Sequence, residues 1–291
     1  MITIAAGRWT ATSNPYGGSL AQLRFGDEDV VVPQDGHGAH PDYRGAVLAP
    51  WPNRLADGAY VFDGSSLRLP VTEPERGTAL HGLVTAIDWE VREHRADEVR
   101  VGVAVPRSEG YPFDVDVEVR YALDAELGLT VAVTGTNIGD VVAPFGCGFH
   151  PYVRHGPDDD LQVAARTYVR TDPERLLPTG VAEVDGSRVD FRTARRAAGA
   201  GLDTAYGDLV RDAEDGRVGV RLGRTRLWGD AAVRWMQVYT PESGGCAAVE
   251  PCTCPPDAFA SGIGLIRLRP GEAATMSCGI DRAESGDVRG R

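Results

Sequence analysis

Lysine is missing: all 30 Lys/Arg cations of the 291-residue chain are arginines. That excludes lysine Schiff-base chemistry and a P-loop grip on a nucleoside triphosphate, both of which need an ammonium. Positive charge is scarce overall, 30 cations against 42 acidic side chains for a formal −12. No electrostatic footprint for nucleic acid or for an anionic membrane is expected from that balance. Cysteine is limited to Cys147, Cys246, Cys252, Cys254 and Cys278, an odd number without framework spacing, which predicts reduced thiols in a cytoplasmic setting. No apolar run approaches membrane-spanning length, and Met1–Thr10 lacks the basic and apolar regions of a signal peptide. Glycine-rich dinucleotide fingerprints and a G-x-S-x-G elbow are absent too. Long helical periodicity is lacking; the one helix-tolerant patch, Thr193–Ala200, is too short to anchor a layer.

What the chain does have is alternation. Val99–Val105 (V-R-V-G-V-A-V), Val115–Tyr121 (V-D-V-E-V-R-Y) and Leu127–Val133 (L-G-L-T-V-A-V) each put large apolar side chains on one face, as half-buried strands require. Shorter candidates are Val30–Val32, Tyr60–Phe62, Trp89–Arg92, Leu161–Val163, Val218–Leu222, Val233–Tyr239, Ala247–Val249 and Ile266–Leu268. The 36 glycines and 19 prolines fall mostly between such runs and supply turns. The pattern predicts an all-β fold, a β-sandwich or a barrel. Residues 1–280 read as one domain and 281–291 as a polar, flexible tail. Function is expected on the long loops Pro33–Arg44, Pro50–Asp57, Thr72–Leu83, Phe145–Asp160 and Gly199–Leu209.

Five residues are candidates for chemistry, each with a plainer alternative. His150, in G-C-G-F-H-P-Y-V-R, is either a neutral-pH proton carrier or a histidine packed under a β-bend. Pro151 holds it on extended backbone, and Gly146 and Gly148 permit close approach to another strand or a ligand. Arg54, in P-W-P-N-R-L-A-D, is either a donor clamp or a surface arginine stacked on Trp51. His81, in L-H-G, projects at a loop-to-strand junction or is a satisfied structural histidine. Asp203 accepts hydrogen bonds from a ligand or closes an Asx turn. Glu250 is the most informative: a carboxylate ending the apolar strand A-A-V-E is costly to bury unless paired or given a task. Cys252-x-Cys254 and His37-x-x-His40 lack the second ligand pair a metal site needs, so no metal is expected.

Taken in order, N-R (Asn53–Arg54), L-H-G (Leu80–Gly82), H-P-Y (His150–Tyr152), L-D-T (Leu202–Thr204) and V-E-P (Val249–Pro251) resemble the aldose 1-epimerase (mutarotase) family. The hairpin Y-V-F-D-G at Tyr60–Gly64 and the ending D-A-F…L-R-P-G-E at Asp257–Glu272 resemble it as well, so the likeness spans nearly the whole chain. It implies the large two-sheet antiparallel β-sandwich of galactose mutarotase-like proteins with an open sugar cleft, and exchange of α and β anomers of a free aldose without cofactor or metal. By motif position it implies Glu250 as general base, His150 as general acid, and Arg54, His81 and Asp203 as the groups holding the ring oxygen and hydroxyls. One departure is that Pro151, Tyr152 and Val153 follow the histidine where galactose mutarotases carry an aromatic-asparagine-leucine run. The likeness leaves the sugar open.

Such a reaction calls for an ionised carboxylate and a protonated imidazole, expected on opposite sides of the C1–ring-oxygen bond. The competing expectations are a hexose-phosphate epimerase, which needs an arginine cluster, a non-catalytic sugar-binding sandwich, and a glycoside hydrolase using Asp203 with Glu250 as its carboxylate pair.

Overall fold

A computed structural model describes residues 1–36, 38 and 42–282, and the regular structure among them is nearly all antiparallel β. The nine-stranded sheet runs, in spatial order, Glu90–His94, Glu98–Ala104, Val115–Asp124, Gly128–Asn137, Ala273–Arg282, Thr225–Gly229, Val218–Leu222, Asp160–Val163 and Arg195–Arg196. The eight-stranded sheet runs Pro178–Glu183, Ala165–Thr171, Asp203–Leu209, Trp235–Tyr239, Cys246–Cys252, Gly148–His150 and Ala46–Leu48, with Tyr152–Arg154 also pairing on Cys246–Cys252. The expected sandwich is what the chain forms.

Alternation makes the sandwich close. Val117, Val119, Tyr121, Val131 and Val133 of the first sheet are 0% exposed, and so are Val47, Phe149, Val238 and Val249 of the second; all belong to one cluster. Each such side chain stabilises the fold by ~1.5–3 kcal/mol on leaving water. Cys246–Cys252 is buried at every residue. Its Ala247 and Val249 point into the sandwich, so Ala248 and Glu250 lie on the far face, where connecting segments cover them. That covered far face is where the polar cluster forms.

Some elements differ from expectation. Gly199–Leu209 is not all loop: Asp203–Leu209 is a strand held between Ala165–Thr171 and Trp235–Tyr239. Its glycine and two aspartates hide the alternation. Phe145–Asp160 carries the short strands Gly148–His150 and Tyr152–Arg154, broken by Pro151, which lacks the N–H a continuous ladder needs. Val30–Val32 contributes only an isolated bridge, Val31 to Val153. Thr193–Ala200 is not helical; its Arg195–Arg196 pairs with Asp160–Leu161. The helix found among the described residues is Ala258–Ser261. The last strand extends to Arg282, and residues 283–291 lie outside the described residues, as do His37 and His40. No helix among the described residues is long and apolar enough to cross a membrane.

Candidate active site

Four neighbouring strands of the eight-stranded sheet build the floor. Gln237 pairs directly with Glu250 and with Ala205, and Gly148 pairs with Cys252. Counting by two along each strand brings Asp203, Gln237, Glu250 and His150 to one face. Glu250 is 2% and His150 5% exposed, and the Glu250 Oε1 lies 3.4 Å from the His150 Nε2. Each precedes a proline, Pro251 or Pro151, which keeps its backbone extended and its side chain on this face. The G-C-G spacing has a steric cause: a Cβ on Gly146 would fall 2.6 Å from the Cys254 Sγ, and one on Gly148 2.8 Å from the Cys252 Sγ. Cys252 and Cys254 therefore act as packing residues against the histidine strand. Among the described residues no three His, Cys, Asp or Glu side chains are placed to hold a metal.

The opposite wall comes from the segments around Arg54 and His81, which meet through the pairing of Arg54–Ala56 with Thr78–Leu80. The Asn53 N–H donates to the His81 Nδ1 at 3.1 Å, and the His81 N–H donates to the Asn53 carbonyl at 3.0 Å. An Nδ1 that accepts leaves the ring proton on Nε2, so His81 is a donor towards the site. Both residues have φ +60°, a left-handed conformation that non-glycine residues adopt at a cost. Gly82 must be glycine: at φ +80° its Cβ would fall 2.0 Å from the Ala49 carbonyl oxygen. The rings of His81 and His150 meet edge to face at 5.1 Å, and Tyr43 lies 4.7 Å from His81.

Arg54 is not stacked on Trp51, which is buried against Phe259. Its Nε and Nη2 donate to Glu73 Oε2 and Oε1 at 2.8 and 2.9 Å. Glu73 also accepts from the Thr78 hydroxyl at 2.6 Å and pairs with Arg76 at 3.2 Å. Burial opposes ionisation of Glu73, but the Arg54 and Thr78 hydrogen bonds and the charges of Arg54 and Arg76 outweigh it and hold its carboxyl below the usual value. Asp203 accepts from the Gln237 amide. All five predicted residues come together here, with Glu73, Gln237, Asn53 and Tyr43 added. Gln237 carried a weak signal, a polar residue inside the apolar run W-M-Q-V-Y. Glu73 carried none, since its partner is 19 residues away.

Electrostatically the floor is dry. Burial, with Asp203 adding to it and Arg54 opposing, pushes the Glu250 carboxyl well above its ordinary value. Burial pushes the His150 imidazole down to about 4, and burial followed by the charges of His150 and Arg54 pushes His81 well down. Asp203 is raised by burial against the pull of Arg54. Burial thus favours the neutral form of both Glu250 and His150, an arrangement in which the pair holds one proton. The two groups stand side by side on this face. Glu250 Oε2 and His150 Nδ1 are buried without a hydrogen-bond partner among the described residues. Unpaired buried polar atoms cost ~1–3 kcal/mol each, and both atoms have capacity left for a hydrogen bond.

Known proteins resemble this chain in sequence and in fold. The uncharacterised protein YihR of Escherichia coli K12 is 34% identical over 282 residues, covering 93% of this chain and 89% of that one. The galactose mutarotase of Mus musculus is 32% identical over 159 residues, 52% of this chain and 45% of the mouse protein. The solved structure of the GalM/aldose epimerase homologue of C. elegans has a TM-score of 0.85 at 20% identity, covering 97% and 99% of the two chains. Galactose 1-epimerase of Lactobacillus acidophilus NCFM gives 0.79 at 18% identity, covering 96% and 93%. These two likenesses establish the fold. The sequence model for aldose 1-epimerase matches residues 1–280, and the chain belongs to the aldose 1-epimerase family.

Proposed function

We propose that this protein interconverts the α and β anomers of a free aldose, with Glu250 and His150 moving the protons. The observation that carries the reading is the buried pair at 3.4 Å with Oε2 and Nδ1 unpartnered. The C1 hydroxyl and the ring oxygen sit on one carbon, so two adjacent groups reach both. Ring opening starts from carboxylate and imidazolium: Glu250 takes the C1 hydroxyl proton, His150 gives one to the ring oxygen, and the C1–O bond breaks. The products are the aldehyde, a neutral Glu250 acid and a neutral imidazole. That is the protonation the dry site favours, so burial stabilises the surroundings of the open-chain form. Rotation about C1–C2 and the reverse transfers close the ring on the other face.

His81, by its Nε2–H, and Arg54 are donors to sugar oxygens, and Asp203 accepts from hydroxyls. Arg54 and Arg76 share the Glu73 carboxylate. That commitment favours an unphosphorylated sugar over a hexose phosphate. The test is polarimetry or NMR saturation exchange on freshly dissolved aldoses, including deoxy, acidic and sulfonated ones. Glu250→Gln and His150→Asn are expected to lose roughly 10²–10⁴-fold in rate while remaining folded. Near-normal exchange by Glu250→Gln would sink the assignment.

A further inference from the structure

The outer face of the nine-stranded sheet, remote from the acid/base pair, carries a feature that anomer exchange does not use. Register sets Arg221 directly opposite Arg226 and Gly219 opposite Trp228 on strands Val218–Leu222 and Thr225–Gly229. Their alternates Val220 and Leu227 fill the core at 1% exposure, so the two arginines face outward. Like charges directly opposite one another across a strand pair are destabilising. Arg226 is matched by Asp281, with Nη2 at 2.8 Å. Among the described residues the Arg221 side chain has no ion pair and no hydrogen bond.

A third cation completes the group. The Arg217 guanidinium lies 3.8 Å from the Trp228 ring centroid, and its carboxylate neighbour, Asp215, is also 3.8 Å away. Trp228 lies flat against the sheet because a Cβ on Gly279 beneath it would fall 2.5 Å from the indole. Two cavities of about 330 and 230 Å³ open on this face, and Arg217, Arg221 and Arg226 line both. Such a concentration is conspicuous on a chain of net charge −12. Residues 283–291, which follow Arg282, have two acidic and two basic side chains and bring no net side-chain charge to balance it.

We propose that this face binds a small phosphate-bearing anion, with Arg221 its principal ligand and Arg217 and Arg226 flanking. Planar guanidinium forks match phosphate oxygens bidentately, and an anion between Arg221 and Arg226 turns a like-charge repulsion into two attractions. The site stands or falls independently of the sugar chemistry.

The test titrates the full chain with inorganic pyrophosphate and, separately, with glycerol 3-phosphate, against sodium chloride at matched ionic strength. Thermal unfolding and tryptophan fluorescence are followed together. At least one anion is expected to raise Tm saturably, since a ligand that binds only the folded state stabilises it by mass action. Which one binds tighter separates a free from an esterified phosphate. Arg221→Gln should weaken that binding about tenfold or more. Arg217→Gln should weaken it too and change the fluorescence response. Without anion, Arg221→Gln should melt no lower than the parent protein. Shifts equal to those in chloride, unchanged affinity in Arg221→Gln, or a destabilised Arg221→Gln without anion would each overturn the proposal.

Discussion

Burial decides what Glu250 and His150 are before any sugar arrives. Between the depressed value of His150, about 4, and the raised value of Glu250, the pair holds one proton in either of two arrangements. In the proposed mechanism only the singly protonated pair opens the ring. Two protons remove the base and none removes the acid. The acid limb of kcat/KM is therefore expected near pH 4, below the ordinary histidine value of 6.5, with the alkaline limb above the ordinary carboxylate range. A pH series by polarimetry, corrected for spontaneous exchange, checks this. An acid limb at the ordinary histidine value would mean that the imidazole is hydrated. At this scale the sequence was informative where residue type and chain position carry cost. Glu250 stands out because it ends an apolar strand, and His150 because a proline follows it. The orphaned Oε2 and Nδ1 have no trace in the sequence, since they depend on what the rest of the fold withholds.

Among elements, the stretch from Thr72 to Gly82 matters most to the site. It carries Glu73, which turns Arg54 from a mobile surface fork into a fixed one, and His81, which Asn53 orients through two backbone contacts. Glu73→Gln should leave Arg54 free to swing towards Asp203 and Glu250. Sugar binding should suffer more than turnover, with KM raised about tenfold and kcat changed less, and Glu73→Asp should restore part of the loss. Steady-state kinetics on both variants decides, and equal effects on KM and kcat would remove Glu73 as a positioning residue. Gly82→Ala tests the same stretch by strain. A left-handed φ and a Cβ 2.0 Å from the Ala49 oxygen should destabilise by more than ~2 kcal/mol, read by urea unfolding. The long alternating strands were legible because their apolar faces repeat. Asp203–Leu209 was not, because glycine and acidic residues break its pattern and only pairing on both sides makes it a strand.

For the whole molecule, the site is a stability cost that pH reveals. The sandwich buries Glu250 and Asp203 with raised values, so the folded chain holds more protons than the unfolded one above the ordinary carboxylate range. Stability from their neutral forms is present at low pH and is lost as pH rises through their folded values. His150 and His81 have the opposite sign: the unfolded chain binds more protons below 6.5, so their contribution is lost as pH falls, towards about 4 for His150. Between about 4 and 6.5 the carboxylate and histidine slopes oppose, and above 6.5 His150 and His81 no longer contribute a slope. Glu250→Gln cannot ionise, and it should gain on the parent protein as pH rises. Each pH unit by which Glu250 is raised corresponds to about 1.4 kcal/mol. Urea unfolding of both proteins from pH 5 to 8 measures the difference. A gap that widens with pH would show that the fold retains a carboxylate that costs it stability, as the proposed function requires. A gap independent of pH would mean that Glu250 ionises as freely in the folded chain as in the unfolded one, and the dry proton-sharing pair would have to be abandoned.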